Sequence, residues 1–125
     1  MAFLTTGLIY RRGAVKPTNL TPRPQVDTVG RPGQAPGLST SVKLGAVCGM
    51  AIDAALLVPP LRAIADDPTQ GGSPGHVAIV PVNESGQVDQ ALLEEWAATR
   101  GSGVLHPLSV LLERAIVARE VDGPT

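Results

Sequence analysis

Three groups of residues have the types and spacing to do chemistry. Tyr10, Arg11 and Arg12 stand together near the start of the chain. An arginine there can grip a phosphate with two parallel N–H donors. Ser39, Thr40 and Ser41 follow Pro36-Gly37 as a run of three short hydroxyls. On an extended segment such hydroxyls hydrogen-bond a ribose or an amide without filling a cleft, and turns and helix caps use them equally well. His76 and His106 are the two histidines, a side chain whose ordinary pKa near ~6.5 suits proton transfer at neutral pH. Ser39, His76 and Asp66 also supply the types of a Ser–His–Asp triad, which only geometry can tell from coincidence.

Several stronger motifs are absent. The chain contains no GxxxxGK[ST], GxGxxG, HExxH or GxSxG. The two histidines lack neighbouring carboxylates at metal-ligand spacing, so no metal site is expected. Cys48 is the single cysteine, which excludes a disulfide within the chain; its apolar neighbours mark it as a small buried hydrophobe. The apolar run Leu44 to Val58 is broken by Asp53 and falls short of the ~20 residues that span a bilayer. The N-terminus lacks the order of charges of a secretory signal. A soluble, cytoplasmic protein without membrane contact is expected.

The elements that must hold these residues are those of one small domain over residues 1–125. Aromatics are limited to Phe3, Tyr10 and Trp96, so the core must come from Ala, Val, Leu and Ile. Residues 3–10 read as a first strand. Pro17, Pro22, Pro24, Pro32 and Pro36 then forbid regular structure over residues 16–37, and the apolar residues within that stretch favour an ordered loop lying over the domain. Leu38–Ser41 reads as a short polar strand or turn, Val42 to Met50 as a weak helix, Ala51 to Leu57 and Leu61 to Ala65 as strands. His76 to Val82 is the clearest strand, with Pro81 pointing to an edge position. Asp89 to Arg100 is the clearest helix, capped by Asp89 and stopped by Gly101. A second helix is expected from Pro107 to Glu120. Strands first and helices last give an α+β fold: a small, mostly antiparallel sheet, two C-terminal helices and a long Pro-rich surface loop.

Charge is divided along the chain. Residues 1–43 carry six basic side chains against Asp27 alone, and residues 44–125 carry four basic and ten acidic ones. Such a division suits either an anionic ligand on the first part or simple complementarity within the fold.

An arginine closing an early strand, followed by Ser39-Thr40-Ser41, resembles the first two signatures of the Arg–Ser–Glu class of ADP-ribosyltransferases, and the stretch Leu8 to Ser41 is similar to small bacterial toxin domains of that type. The resemblance implies NAD as cofactor, held by Tyr10, Arg11, Arg12 and Ser39–Ser41, with Ser39 orienting a catalytic glutamate. The family's Glu-x-Glu pair has no counterpart here, and Glu84, in the turn after the His76 strand, is nearest by location. His76 completes the set of candidate catalytic residues. The partner would be a protein target or a cognate antitoxin or immunity protein. A second reading is a metal-independent RNase toxin using His76 and His106, with the basic arm on the phosphate backbone; the lack of interleaved aromatics argues against nucleic acid. A third is a non-catalytic interaction module that forms a homo-oligomer through the Pro-rich arm.

Overall fold

The computed structural model describes residues 2–44 and 49–121. Seven strands and two helices follow one another: β1 (Ala2–Leu4), β2 (Leu8–Arg12), β3 (Leu38–Ser41), β4 (Gly49–Asp53), β5 (Leu61–Ala65), β6 (His76–Pro81), α1 (Gln90–Ala98), α2 (Pro107–Glu113) and β7 (Ile116–Val121). The strands form one antiparallel sheet in the order β1-β5-β6-β3-β2-β4-β7. The α+β class expected from sequence is the one observed.

The differences from expectation have physical causes. Residues 3–10 are two strands, because Gly7 turns the chain with φ of 98°; β1 pairs with β5 and β2 with β4, on opposite sides of the sheet. The strand expected over Ala51 to Leu57 begins earlier, at Gly49, and ends at Asp53, whose carboxylate caps a 3-10 turn at Ala54–Leu56. The middle of the helix expected over Val42 to Met50, Cys48 included, lies outside the described residues, and Gly49 and Met50 are strand. β6 is interior, between β5 and β3; Pro81 is tolerated because it occupies the last register position, opposite Leu61. The final helix stops at Glu113, and the β-branched residues Ile116 and Val117 begin a strand that pairs with the free side of β4. Helices therefore do not end the fold.

Trp96 supplies the one large aromatic of the core, fully buried with Leu93, Leu112, Ile9, Leu38 and Ile79. Its indole N–H donates to Ser109 Oγ (2.8 Å), which donates to the Leu20 carbonyl (2.8 Å). A buried polar chain thus ties α1 to α2 and both to the start of the Pro-rich loop. Arg100 adds a bond to the Thr21 carbonyl at 2.7 Å.

The loop between β2 and β3 is built by a succession of local bonds. Pro17–Leu20 is a 3-10 turn. Asp27 accepts from the Arg23 backbone (2.7 Å) and guanidinium, and its carbonyl accepts from Gly37 N–H at 2.7 Å. Arg31 and Gln34 exchange both backbone bonds around Pro32-Gly33, with Gly33 at φ of 75° as a tight turn requires. A side chain on Gly33 would meet Asp67 O and Gly72 N at 2.6 Å, so the turn packs directly on the segment after β5.

β2 and β3 share one registered pair, Tyr10 and Ser41, whereas β2 and β4 stay paired over five positions. Where β2 and β3 part, the Arg11 guanidinium replaces the ladder: Nη1 donates to the Ser39 carbonyl at 2.8 Å and Nε to the Asn19 carbonyl. Burial lowers the Arg11 pKa to about 10, with Asp27 working in the opposite direction, so the group remains charged at neutral pH. Arg11→Met is expected to leave both carbonyls unpaired and cost about 3 kcal/mol, lowering Tm by roughly 10 °C. A thermal melt followed by the fluorescence of Trp96 checks this; an unchanged Tm would contradict a clamping role.

Candidate active site

The register of three neighbouring strands brings the candidate residues together. Ser41 lies opposite His76, and Ser39 opposite Ala78. Registered pairs share a face, and residues two apart along a strand share it too. Ser39 and His76 are therefore a diagonal pair on one face, within reach of an imidazole. On the other side of β6, Ala65 lies opposite Val77, and the Asp66 N–H continues the ladder to the His76 carbonyl at 2.9 Å. Asp66 thereby faces His76 from the end of β5.

The side chains complete what the backbone arranges. Ser39 Oγ is 2.7 Å from His76 Nε2, and His76 Nδ1 is 2.8 Å from Asp66 Oδ1. The Asp66 side chain is fully buried and His76 is 20% exposed. The second carboxylate oxygen of Asp66 accepts from Ser73 N–H at 3.0 Å. Because an ionised carboxylate only accepts, Nδ1 of His76 carries a proton, and in neutral imidazole Nε2 is left as the acceptor for the serine hydroxyl. That order of donors is the one a general base needs to activate a hydroxyl.

The relay opens into a cleft of about 150 Å³ lined by Ser39, His76, Gln34, Arg31, Arg23 and Asp27, among others. Gln34 Nε2 lies 3.2 Å from one ring nitrogen of His76 and 3.5 Å from the other. The in-plane directions of those nitrogens diverge, so the amide rests over the ring face. Of the two arginines, Arg23 is paired with Asp27 at 3.1 Å, and that hydrogen bond raises its pKa. The exposed Arg31 makes no ion pair among the described residues, which leaves a free positive charge at the mouth.

The other residues singled out from sequence fall elsewhere. The Arg11 guanidinium is engaged by the Ser39 and Asn19 carbonyls, and a second cleft is lined by Tyr10, Arg11, Arg12, Ser41 and Lys43. Thr40 points into the interior and donates to the Val77 carbonyl at 2.8 Å, so it is not available to a ligand. The three hydroxyls thus split into separate environments. Glu84 is exposed in the turn beyond the far end of β6, eight positions after His76, and lines none of the clefts described here; the structure does not bring it to Ser39. His106 caps α2, its Nδ1 accepting from Leu108 N–H at 3.0 Å, and is absent from the cleft of His76. The two histidines are not partners in one site. Among the described residues no cluster of His, Cys, Asp and Glu could hold a metal ion, and no helix is long and apolar enough to cross a membrane.

No family model, curated protein or solved structure matches the chain.

The residues that sequence reasoning missed are Gln34 and Arg31 of the cleft wall. Their signal was the Arg31-Pro32-Gly33-Gln34 turn, since Pro-Gly at the centre of a β-turn places its flanking residues side by side. The bond from His76 to Asp66 is expected to give a low-field proton resonance for Nδ1–H. Asp66→Ala should abolish that resonance, and Gly33→Ala should weaken it by pushing the turn off residues 67–72. A proton spectrum of the three proteins tests this; persistence of the signal in Asp66→Ala would refute the relay geometry.

Proposed function

We propose that the chain is a serine-nucleophile hydrolase acting on small carboxylic esters. The observation that carries this reading is the continuous relay Ser39 Oγ–His76 Nε2–Asp66 at 2.7 and 2.8 Å. Ser39 Oγ attacks the carbonyl carbon and forms the new C–O bond while its proton passes to His76 Nε2. The carbonyl π pair moves to oxygen, and the exposed Arg31 guanidinium at the mouth of the cleft is the donor assigned to that charge. As the pair returns, the C–O bond to the alcohol breaks, and His76 gives the departing oxygen its proton. Water then repeats the sequence on the acyl-serine, with His76 taking a proton from water and returning one to Ser39. Asp66 stays ionised throughout and stabilises the imidazolium.

Incubation with a small fluorophosphonate and intact-mass measurement tests the proposal. One adduct on Ser39 is expected, lost in Ser39→Ala and formed about 10³–10⁴-fold more slowly in Asp66→Asn, because the amide stabilises the wrong tautomer. No adduct, or an adduct that survives Ser39→Ala, would overturn the reading.

A second reading keeps the ADP-ribosyltransferase resemblance. It is favoured by one observation: Arg11 donates to the Ser39 carbonyl from the adjacent strand, and a cleft lined by Tyr10, Arg11, Arg12 and Ser41 lies beside the separate one that holds Ser39 and His76. In this reading His76 stands where the family has its glutamate, and the cleft takes the pyrophosphate of NAD. NAD at millimolar concentration is then expected to raise Tm in the parent chain and not in Arg12→Ala. Identical melting with and without NAD removes this reading.

A further inference from the structure

Beside the Ser39 cleft lies a larger open groove of about 420 Å³. Arg31, Gln34, Ala35 and Pro36 line both spaces and form the sill between them. Beyond the sill the walls are apolar: Phe3, Ile64 and Val88. The Ser39 cleft alone is smaller than the ~300–1,000 Å³ of ordinary small-molecule sites, and the groove falls inside that range.

The register of the sheet relates the groove to the nucleophile. Ser39 lies opposite Ala78, Ala78 opposite Ile64, and Ile64 opposite Phe3. These four residues form one cross-strand row on the face that carries His76. His76 and Asp66 occupy the adjacent row. With strands ~4.8 Å apart, Ile64 is about 10 Å and Phe3 about 14 Å from Ser39 along the row. The departing alcohol must receive its proton from His76, so it belongs to the row of His76. The remainder of an acyl-serine then extends along the other row, over the sill and into the groove. The ring of Phe3 is held in place by the Arg62 guanidinium, 3.9 Å from its centroid.

We infer that this groove is an acyl-chain pocket and that the substrate is an ester of a medium-length, unbranched fatty acid. The inference rests on the hydrolase reading and names its substrate class. Butanoate is too short to cross the sill, and octanoate reaches the apolar walls. Chain length therefore acts as a threshold.

The test uses para-nitrophenyl acetate, butanoate, octanoate and decanoate with the full chain, each below its micelle concentration. The octanoate kcat/KM is expected to exceed that for butanoate by at least about tenfold. Val88→Trp, which fills the groove, and Phe3→Ala, which removes its end wall, should each abolish that gain and leave acetate turnover and fluorophosphonate labelling of Ser39 unchanged. A flat series with Ser39 still labelled overturns the acyl pocket and leaves the hydrolase reading standing. A companion series of methyl, butyl and octyl acetate varies the alcohol, and a rate that rises along it while the acid series stays flat overturns the assignment of rows. Absence of labelling overturns both.

Discussion

A buried guanidinium holds the molecule together at the point where two strands separate. β2 and β3 begin as neighbours at Tyr10 and Ser41 and then diverge, which leaves backbone acceptors without ladder partners. Arg11 fills that gap, bonding at once to β3 through Ser39 and to the 3-10 turn through Asn19. A buried cation is costly unless its donors are used, and here the acceptors are main-chain atoms of two separate segments. The conformation of Ser39, and with it the direction of its hydroxyl, depends on this bond.

From that fixed strand the rest of the relay follows by register. β3, β6 and the end of β5 are adjacent, so a serine on the first, a histidine on the second and an aspartate on the third meet on one face. Each group is also held by a second contact: Asp66 by the Ser73 N–H, and His76 by the Gln34 amide over its ring. Secondary contacts of this kind restrict rotamers before any substrate arrives. The Asp66 side chain is fully buried and His76 is one-fifth exposed, the division that the proposed roles of orienting acid and general base require.

Much of the fold was legible from sequence. Asp89 and Gly101 mark the ends of α1 by well-understood capping chemistry, and the apolar run after His76, set between Pro74-Gly75 and the turn at Asn83–Gly86, marked β6. The sheet class followed from those and from the Pro-rich interval. What could not be read is long-range. The β-branched Ile116 and Val117 lean towards strand, yet Ile116 also continues the apolar stripe of the preceding helix; the free side of β4 decides between them. Ser39, Asp66 and His76 were all visible as residue types, but their meeting depends on which strands are neighbours and in what register, and sequence spacing carries neither fact. That the Arg11 side chain bonds the Asn19 and Ser39 carbonyls where β2 and β3 part was illegible for a related reason: it depends on which segments the fold brings beside β2. Glu84, placed by analogy of position, lies past the wrong end of β6.

The Arg31–Gln34 turn rests on residues 67–72 with no room for even a methyl group at Gly33, and Asp67 N–H bonds the Gly33 carbonyl at 2.8 Å. The wall of the cleft and the strand end bearing Asp66 are for this reason one mechanical piece. If the turn lifts, the imidazole loses its amide cover and the carboxylate its neighbouring support in the same movement. A displacement of the turn would therefore act on both sides of the imidazole at once, and a contact that seats the turn more firmly also steadies the bond between His76 and Asp66.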